Sequence, residues 1–293
     1  MTTQIVVTES IELTRTKAPA LPYAPVQYDR TYEDTLNNIL RQYFNTLDNF
    51  IAQLNVSAGG TGAGVFLPYG AFHQDGTTTL SANITNVSTT PISVADTSVF
   101  PSSGWILIES ELIAYTGKTS TTFTGITRGV LGTTNVAHTA GVYITEAQGT
   151  GGATSIGKVL FNNTDASSGV AIDGTDQTKV VFTNKGMYNI QFSAQLLNFT
   201  TSEDNVTIWA RLDGADIAAT AGIEQVNSKH GASPGARIAS WNYVLEVDAG
   251  QYFQLAWASD TGNTVLATYP PGTSPTHPLS PGVILTATFV SAL

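Results

Sequence analysis

The sequence predicts a mainly β protein in which an extended arm and one amphipathic helix precede a sandwich of short strands. Three observations carry this. Charged residues make up only 12% of the 293 residues, against roughly 25% in an ordinary domain, while 42% are apolar. Helical periodicity occurs in a single stretch, 31–54. From residue 65 onward, apolar residues alternate with polar ones in short runs bounded by turn residues.

Residues 1–30 read as an anchoring arm. Ile5, Val7, Ile11 and Leu13 fall on one side of an extended strand with no hairpin partner nearby. Pro19, Pro22 and Pro25 then form a connector, because proline fixes φ and removes a backbone donor. Residues 31–54 are the helix, with Thr31 to Asp34 at capping-box spacing. Leu36, Leu40, Tyr43, Leu47, Phe50 and Leu54 recur four and three apart, a heptad seam, and Ile39, Phe44 and Ile51 widen it. A helix this short is marginal alone in water, so the wide stripe is expected to clamp three copies of the chain. Residues 55–64 are a Gly-rich linker. No Lys-Ser/Thr follows its glycines, so it is not a phosphate loop.

The remaining strands place an aromatic on nearly every inward face. Tyr188, Ile190, Phe192, Ala194 and Leu196 share one face. Val206, Ile208, Ala210 and Leu212 repeat the pattern before an Asp213-Gly214 turn. Trp241, Tyr243, Leu245 and Val247 follow, then Phe253, Leu255 and Trp257, and finally Val283, Leu285, Ala287 and Phe289. The expected core is built on Tyr188, Phe192, Ile208, Trp241, Tyr243, Phe253, Trp257 and Phe289.

These segments carry a family likeness. Val-Val-Phe-Thr-Asn-Lys-Gly-Met-Tyr-Asn-Ile-Gln-Phe-Ser-Ala-Gln (180–195), the Arg-Leu-Asp-Gly turn at 211–214, the strand, small-Gly turn and strand of 239–257, and the closing run 283–290 occur in order. Together they resemble a module of phage virion proteins, distantly similar to the tumour-necrosis-factor and complement heads. The resemblance covers about half the chain. It implies a jelly-roll sandwich that assembles as a threefold trimer. The opening strand at 68–75 is separated from its continuation at 156–170 by about eighty residues. The stretch 82–148, with Gly-Trp-Ile-Leu-Ile-Glu-Ser-Glu-Leu-Ile-Ala-Tyr at its centre, resembles a small β module that recurs in phage structural proteins, and reads as a domain inserted between a first strand in 65–81 and the remainder in 149–293. The segments 24–36 and 40–49 resemble N-terminal regions of marine and cyanobacterial phage virion proteins, which implies attachment to the particle through the N-terminus.

The chemistry expected is binding without reaction. The net charge of −10, with twelve scattered basic residues, disfavours nucleic acid and anionic membranes. With no cysteine, thiolate catalysis, thiolate metal sites and disulfides are excluded. His73, His138, His230 and His277 lie far apart, outside metal-ligand spacings, and the first two read as structural. No nucleophile elbow occurs. Carboxylates are numerous enough to make a glycosidase pair, which leaves a glycan-degrading appendage as a minor alternative. Acidic turns at 202–205 and 213–216 match no calcium loop and read as solvated. The six Asn-x-Ser/Thr sites, at Asn55, Asn83, Asn86, Asn162, Asn198 and Asn205, are a by-product of Thr- and Asn-rich strands, since no export signal precedes them. No cofactor or metal is expected. The loops 222–238 and 266–282, with Lys229, His230, Arg237, Tyr269 and His277, are the expected recognition surfaces. The expectation is therefore a non-enzymatic virion protein assembled in the host cytoplasm: a homotrimeric fibre or knob contacting other virion proteins through its arm and helix, and a host glycan or protein through its head. A capsid decoration, cement or head-fibre protein is the alternative.

Overall fold

The computed structural model describes residues 19–54, 67–150, 152–153 and 155–292, and for 50–54 the backbone alone. The expected arm strand with Ile5, Val7, Ile11 and Leu13, the linker 55–64, and the side chains of Phe50, Ile51 and Leu54 lie outside the described residues.

The helix runs Arg30–Leu54. Its cap is Asp29, two residues before the expected Thr31. Asp29 Oδ1 accepts the backbone N–H groups of Thr31 and Tyr32 at 2.8 and 3.4 Å. Thr31 therefore sits in the first turn, where its carbonyl accepts the Thr35 hydroxyl at 2.7 Å. No side chain of residues 30–49 is buried: Leu36, Ile39, Leu40, Tyr43 and Leu47 are half-buried, and Phe44 is 54% exposed.

Residues 67–293 form a compact unit of antiparallel sheets. One sheet orders Asn163–Ser168, Tyr69–Gln74, Val283–Ser291, Gly186–Asn198 and Gly235–Val247. The other orders Val170–Ile172, Val180–Phe182, Tyr252–Ser259, Asp204–Leu212 and Gly222–Val226. The long strand Gly186–Asn198 sets the register, with Ile190 opposite Tyr243 on one side and Ala287 on the other. This pairing brings the expected inward faces together. Tyr188, Phe192, Ile208, Tyr243, Phe253 and Trp257 are buried in one cluster, with Trp241 and Phe289 partly buried against it. Tyr188 meets Phe182 and Phe289 edge-on, at 4.6 and 5.4 Å between ring centroids. Each such side chain removed from water contributes about 1.5–3 kcal/mol. Asp213 and Gly214 both take positive φ, 48° and 79°, the conformation a two-residue hairpin turn requires.

The stretch 82–148 has a core built around Ile106, Ile113, Tyr115, Phe123 and Ile144, to which Leu80, just before it, also belongs. It also continues the first sheet. Past the point where Val283–Ser291 leaves the long strand, Thr264–Ala267 pairs with Leu196 to Asn198. Tyr143–Gly149 pairs with Thr264–Ala267, and Gly104–Ile108 and Glu111–Tyr115 follow outward. A third apolar cluster, with Leu107, Leu112 and Ala147 on one side and Leu197, Phe199 and Val265 on the other, packs the module onto the sandwich.

Candidate interaction surfaces

The outward face of the first sheet carries the residues that alternate with the core. Pairing places them in rows: Val244, Asn189 and Thr288; then Asn242, Gln191 and Thr286; then Ser240, Ser193 and Ile284. Val244 is 56% exposed and Ile238, one step beyond the last row, is 63% exposed. None of these residues carries a formal charge, in a chain with 22 acidic side chains. Charges collect around the face instead. Lys185 pairs with Glu246 and Asp248 at one end. At the outer edge, His73 lies between Asp75 and Asp165, each 3.1 Å from a ring nitrogen.

At one end of this face an open depression of about 500 Å³ is lined by Gln195, Leu196, Leu197, Ala236, Arg237, Ile238 and Tyr269. Arg237 Nε donates to Glu224 at 2.9 Å, and Gln195 is fixed by bonds from its Nε2 to Ser280 Oγ and the Pro281 carbonyl at 2.6 and 2.7 Å. Two of the five expected recognition residues, Arg237 and Tyr269, therefore meet in one concave site.

The loops themselves are shorter than expected. Gly222–Val226 and Gly235–Val247 are strands, so Arg237 is a strand residue and only 227–234 is loop. That loop is closed by His230 and Ser233, whose backbones bond reciprocally, and Lys229 N–H bonds to the Thr200 carbonyl. The Pro-rich stretch holds a small hairpin, Gly272–Thr273 with Thr276–His277, and a Tyr269–Ser280 bridge. Tyr269 is half-buried against the third apolar cluster, and burial pushes its hydroxyl up. Lys229, His230 and His277 do not line the depression.

Buried polar groups are structural clamps that no short spacing announces. Glu111 and Arg128 are both buried, with Arg128 Nε 2.5 Å from Glu111 Oε1 and Nη2 2.7 Å from Oε2. Arg128 also donates to the Thr85 and Val136 carbonyls at 3.0 and 2.6 Å. His138, read above as structural, is buried with Glu109 2.7 Å from Nδ1 and Glu111 2.9 Å from Nε2. Burial pushes the Glu111 carboxyl up, but bonds from Arg128, His138 and the Val136 N–H outweigh it and hold the group below its ordinary value. Among the described residues, no group of three or more His, Asp or Glu side chains is arranged to hold a metal ion, and no helix is long and apolar enough to cross a membrane. No family model and no curated protein matches the sequence.

Proposed function

We propose that the chain is a non-enzymatic structural protein of a bacteriophage particle. It works as a homotrimer anchored by its N-terminal region and presenting the sandwich as a host-binding head. The observation that carries this is the charge-free outward face of the first sheet. A charge-free face with exposed Ile238, Val244 and Ile284, and ion pairs at its end, is the pattern of a surface that another protein covers. The likeness to trimeric heads makes two further copies of the chain the covering partners. Five principal strands in each sheet, with the first strand beside the last, support the jelly-roll reading. The half-buried helical stripe supports a second point of self-association. The depression with Arg237, Ile238 and Tyr269 is the recognition site for a host glycan or protein.

Sedimentation of the full chain tests the assembly. The expected mass is that of three chains. Gln191→Arg puts a charge at the centre of the face, in the row with Asn242 and Thr286, and is expected to lower the mass while the β-sheet spectrum stays unchanged. A monomeric wild type overturns the reading. A variant still trimeric moves the contact off this face.

A further inference from the structure

The module and the sandwich meet along a seam that contains a buried carboxyl group, Glu146. Glu146 lies in Tyr143–Gly149, the strand that joins the module's sheet to Thr264–Ala267 of the sandwich. Its backbone is held from both sides: its N–H donates to the Gly76 carbonyl at 2.7 Å, and its carbonyl accepts from Thr268 at 3.1 Å. Its side chain faces three elements. Asn162, from the sandwich, donates from Nδ2 to Glu146 Oε2 at 3.0 Å and to the Val99 carbonyl of the module at 3.1 Å. Gln74, buried at the end of the first strand, sets its amide near enough to act on the carboxyl but outside good hydrogen-bond geometry, and Glu146 Oε1 has no bonded partner.

Charge compensation at this point is poor. The ionisable groups acting on the carboxyl are Asp75, an anion, and Lys118; Tyr115 lies near as a neutral phenol. Lys118 hydrogen-bonds to the Thr97, Ser98 and Phe100 carbonyls and acts on Glu146 only at a distance, without forming an ion pair with it. An ionised Glu146 would thus be a buried anion facing another anion, with one oxygen unbonded. A neutral Glu146 removes that anion and its repulsion with Asp75.

We propose that Glu146 is a proton-controlled latch: neutral, it closes the seam between the module and the sandwich, and its ionisation loosens that seam. Burial pushes the group up to about 8 and Asp75 acts in the same direction, while the Gln74 amide and Lys118 act against it. In the opened seam the group returns to its ordinary value of 4.5. A carboxyl whose value is raised in the closed state favours that state most fully below the ordinary value. The advantage falls away as pH rises and is gone above the raised one. One proton is released on opening within that window, so opening rises about tenfold per pH unit between roughly pH 5 and 8 and levels off above.

Hydrogen exchange on the full chain, corrected for intrinsic rates, tests the latch. Protection of Gly104–Ile108 and Glu111–Tyr115 is expected to fall with that slope, while the sandwich strand Gly186–Asn198 keeps its protection. Glu146→Gln is expected to remove the slope. A flat wild-type profile, or a Gln variant with the wild-type slope, overturns the proposal. Should the variant not fold, the carboxyl carbon resonance of Glu146 in the labelled wild type decides: a protonated group at pH 6 supports the latch and an ionised one refutes it.

Discussion

Replacing Arg128 by methionine keeps much of the side-chain volume but strips Glu111 of its bidentate partner. Glu111 is fully buried, and the two bonds it loses are 2.5 and 2.7 Å long. The bonds that remain come from His138 and the Val136 N–H. Breaking a buried pair from one side costs about 3–5 kcal/mol, because the other charge stays in place without compensation. That is a large share of the roughly 5–15 kcal/mol that holds a domain folded. Removing both charges with Glu111→Met and Arg128→Met abolishes the stranded anion. What remains is the cost of the orphaned Val136 N–H and carbonyl and of His138 Nε2, about 1–3 kcal/mol for each group that water cannot reach. The Thr85 carbonyl lies at an exposed contact and can be hydrated. The double variant is therefore expected to be more stable than the sum of its singles predicts. Urea unfolding of the four proteins in the cycle measures this, with exchange at Gly104–Ile108 reporting whether the module opens first. A cost below about 1 kcal/mol for Arg128→Met, or strict additivity in the double variant, would refute the argument that this pair is the module's electrostatic clamp.

Three other substitutions, at two positions, probe the sandwich. Asp204 is buried and accepts from Ser259 Oγ, Thr264 Oγ1 and the Thr261 N–H at 2.5, 2.6 and 3.1 Å. Asp204→Ala strands these donors and is expected to cost about 2–4 kcal/mol in denaturant unfolding. Burial pushes this carboxyl up but the three donors outweigh it, so its value is depressed. Its contribution is present above the ordinary 3.8 and lost as pH falls below it, so Asp204→Asn is expected to flatten part of the acid limb of the stability profile. Gly157 faces the indole of Trp257, where an added Cβ would lie 2.6 Å from Nε1 and 3.0 Å from Cε2. With Trp257 buried in the core, Gly157→Ala is expected to cost about 1–3 kcal/mol, read as a lowered melting temperature with no change of assembly.

The alternation of Tyr188 through Leu196 and of Val283 through Phe289 was legible in the sequence because each strand has one wet face, and period two then marks both the strand and its inward side. The Asp213-Gly214 turn was legible for a local reason too, since few residue pairs tolerate two positive φ values. Thr264–Ala267 was not. Its four residues are all buried, so alternation is lost and the strand read as the lead-in to a loop. Missing it hid the joint through which the module extends the first sheet. Gly222–Val226 was lost for the opposite reason. It is a largely exposed edge strand with Ile223 outward, and so reads as a polar loop. The Asp29 cap escaped because the Thr31 pattern matched the same rule two residues later. The clamps were beyond sequence reasoning altogether: Glu111 meets Arg128 across 17 residues and His138 across 27, and no spacing rule connects them.

The joint also bears on how the depression is kept in shape. Tyr269, one wall of the depression, is partly buried against the cluster that holds Leu107 and Leu112 of the module to Leu197 and Val265 of the sandwich. It follows Thr268, whose N–H bonds to Glu146 and whose hydroxyl donates to the Gln74 carbonyl at 3.1 Å. The opposite wall, Arg237 and Ile238, belongs to a strand paired along its whole length with Gly186–Asn198. One wall is thus fixed by the sandwich alone, and the other depends on how the module is seated. Any event that loosens the seam at Glu146 acts on Tyr269 before it acts on Arg237. The width of the depression, and with it the fit of whatever occupies it, is in this way tied to the packing of a module that contributes no residue to its lining.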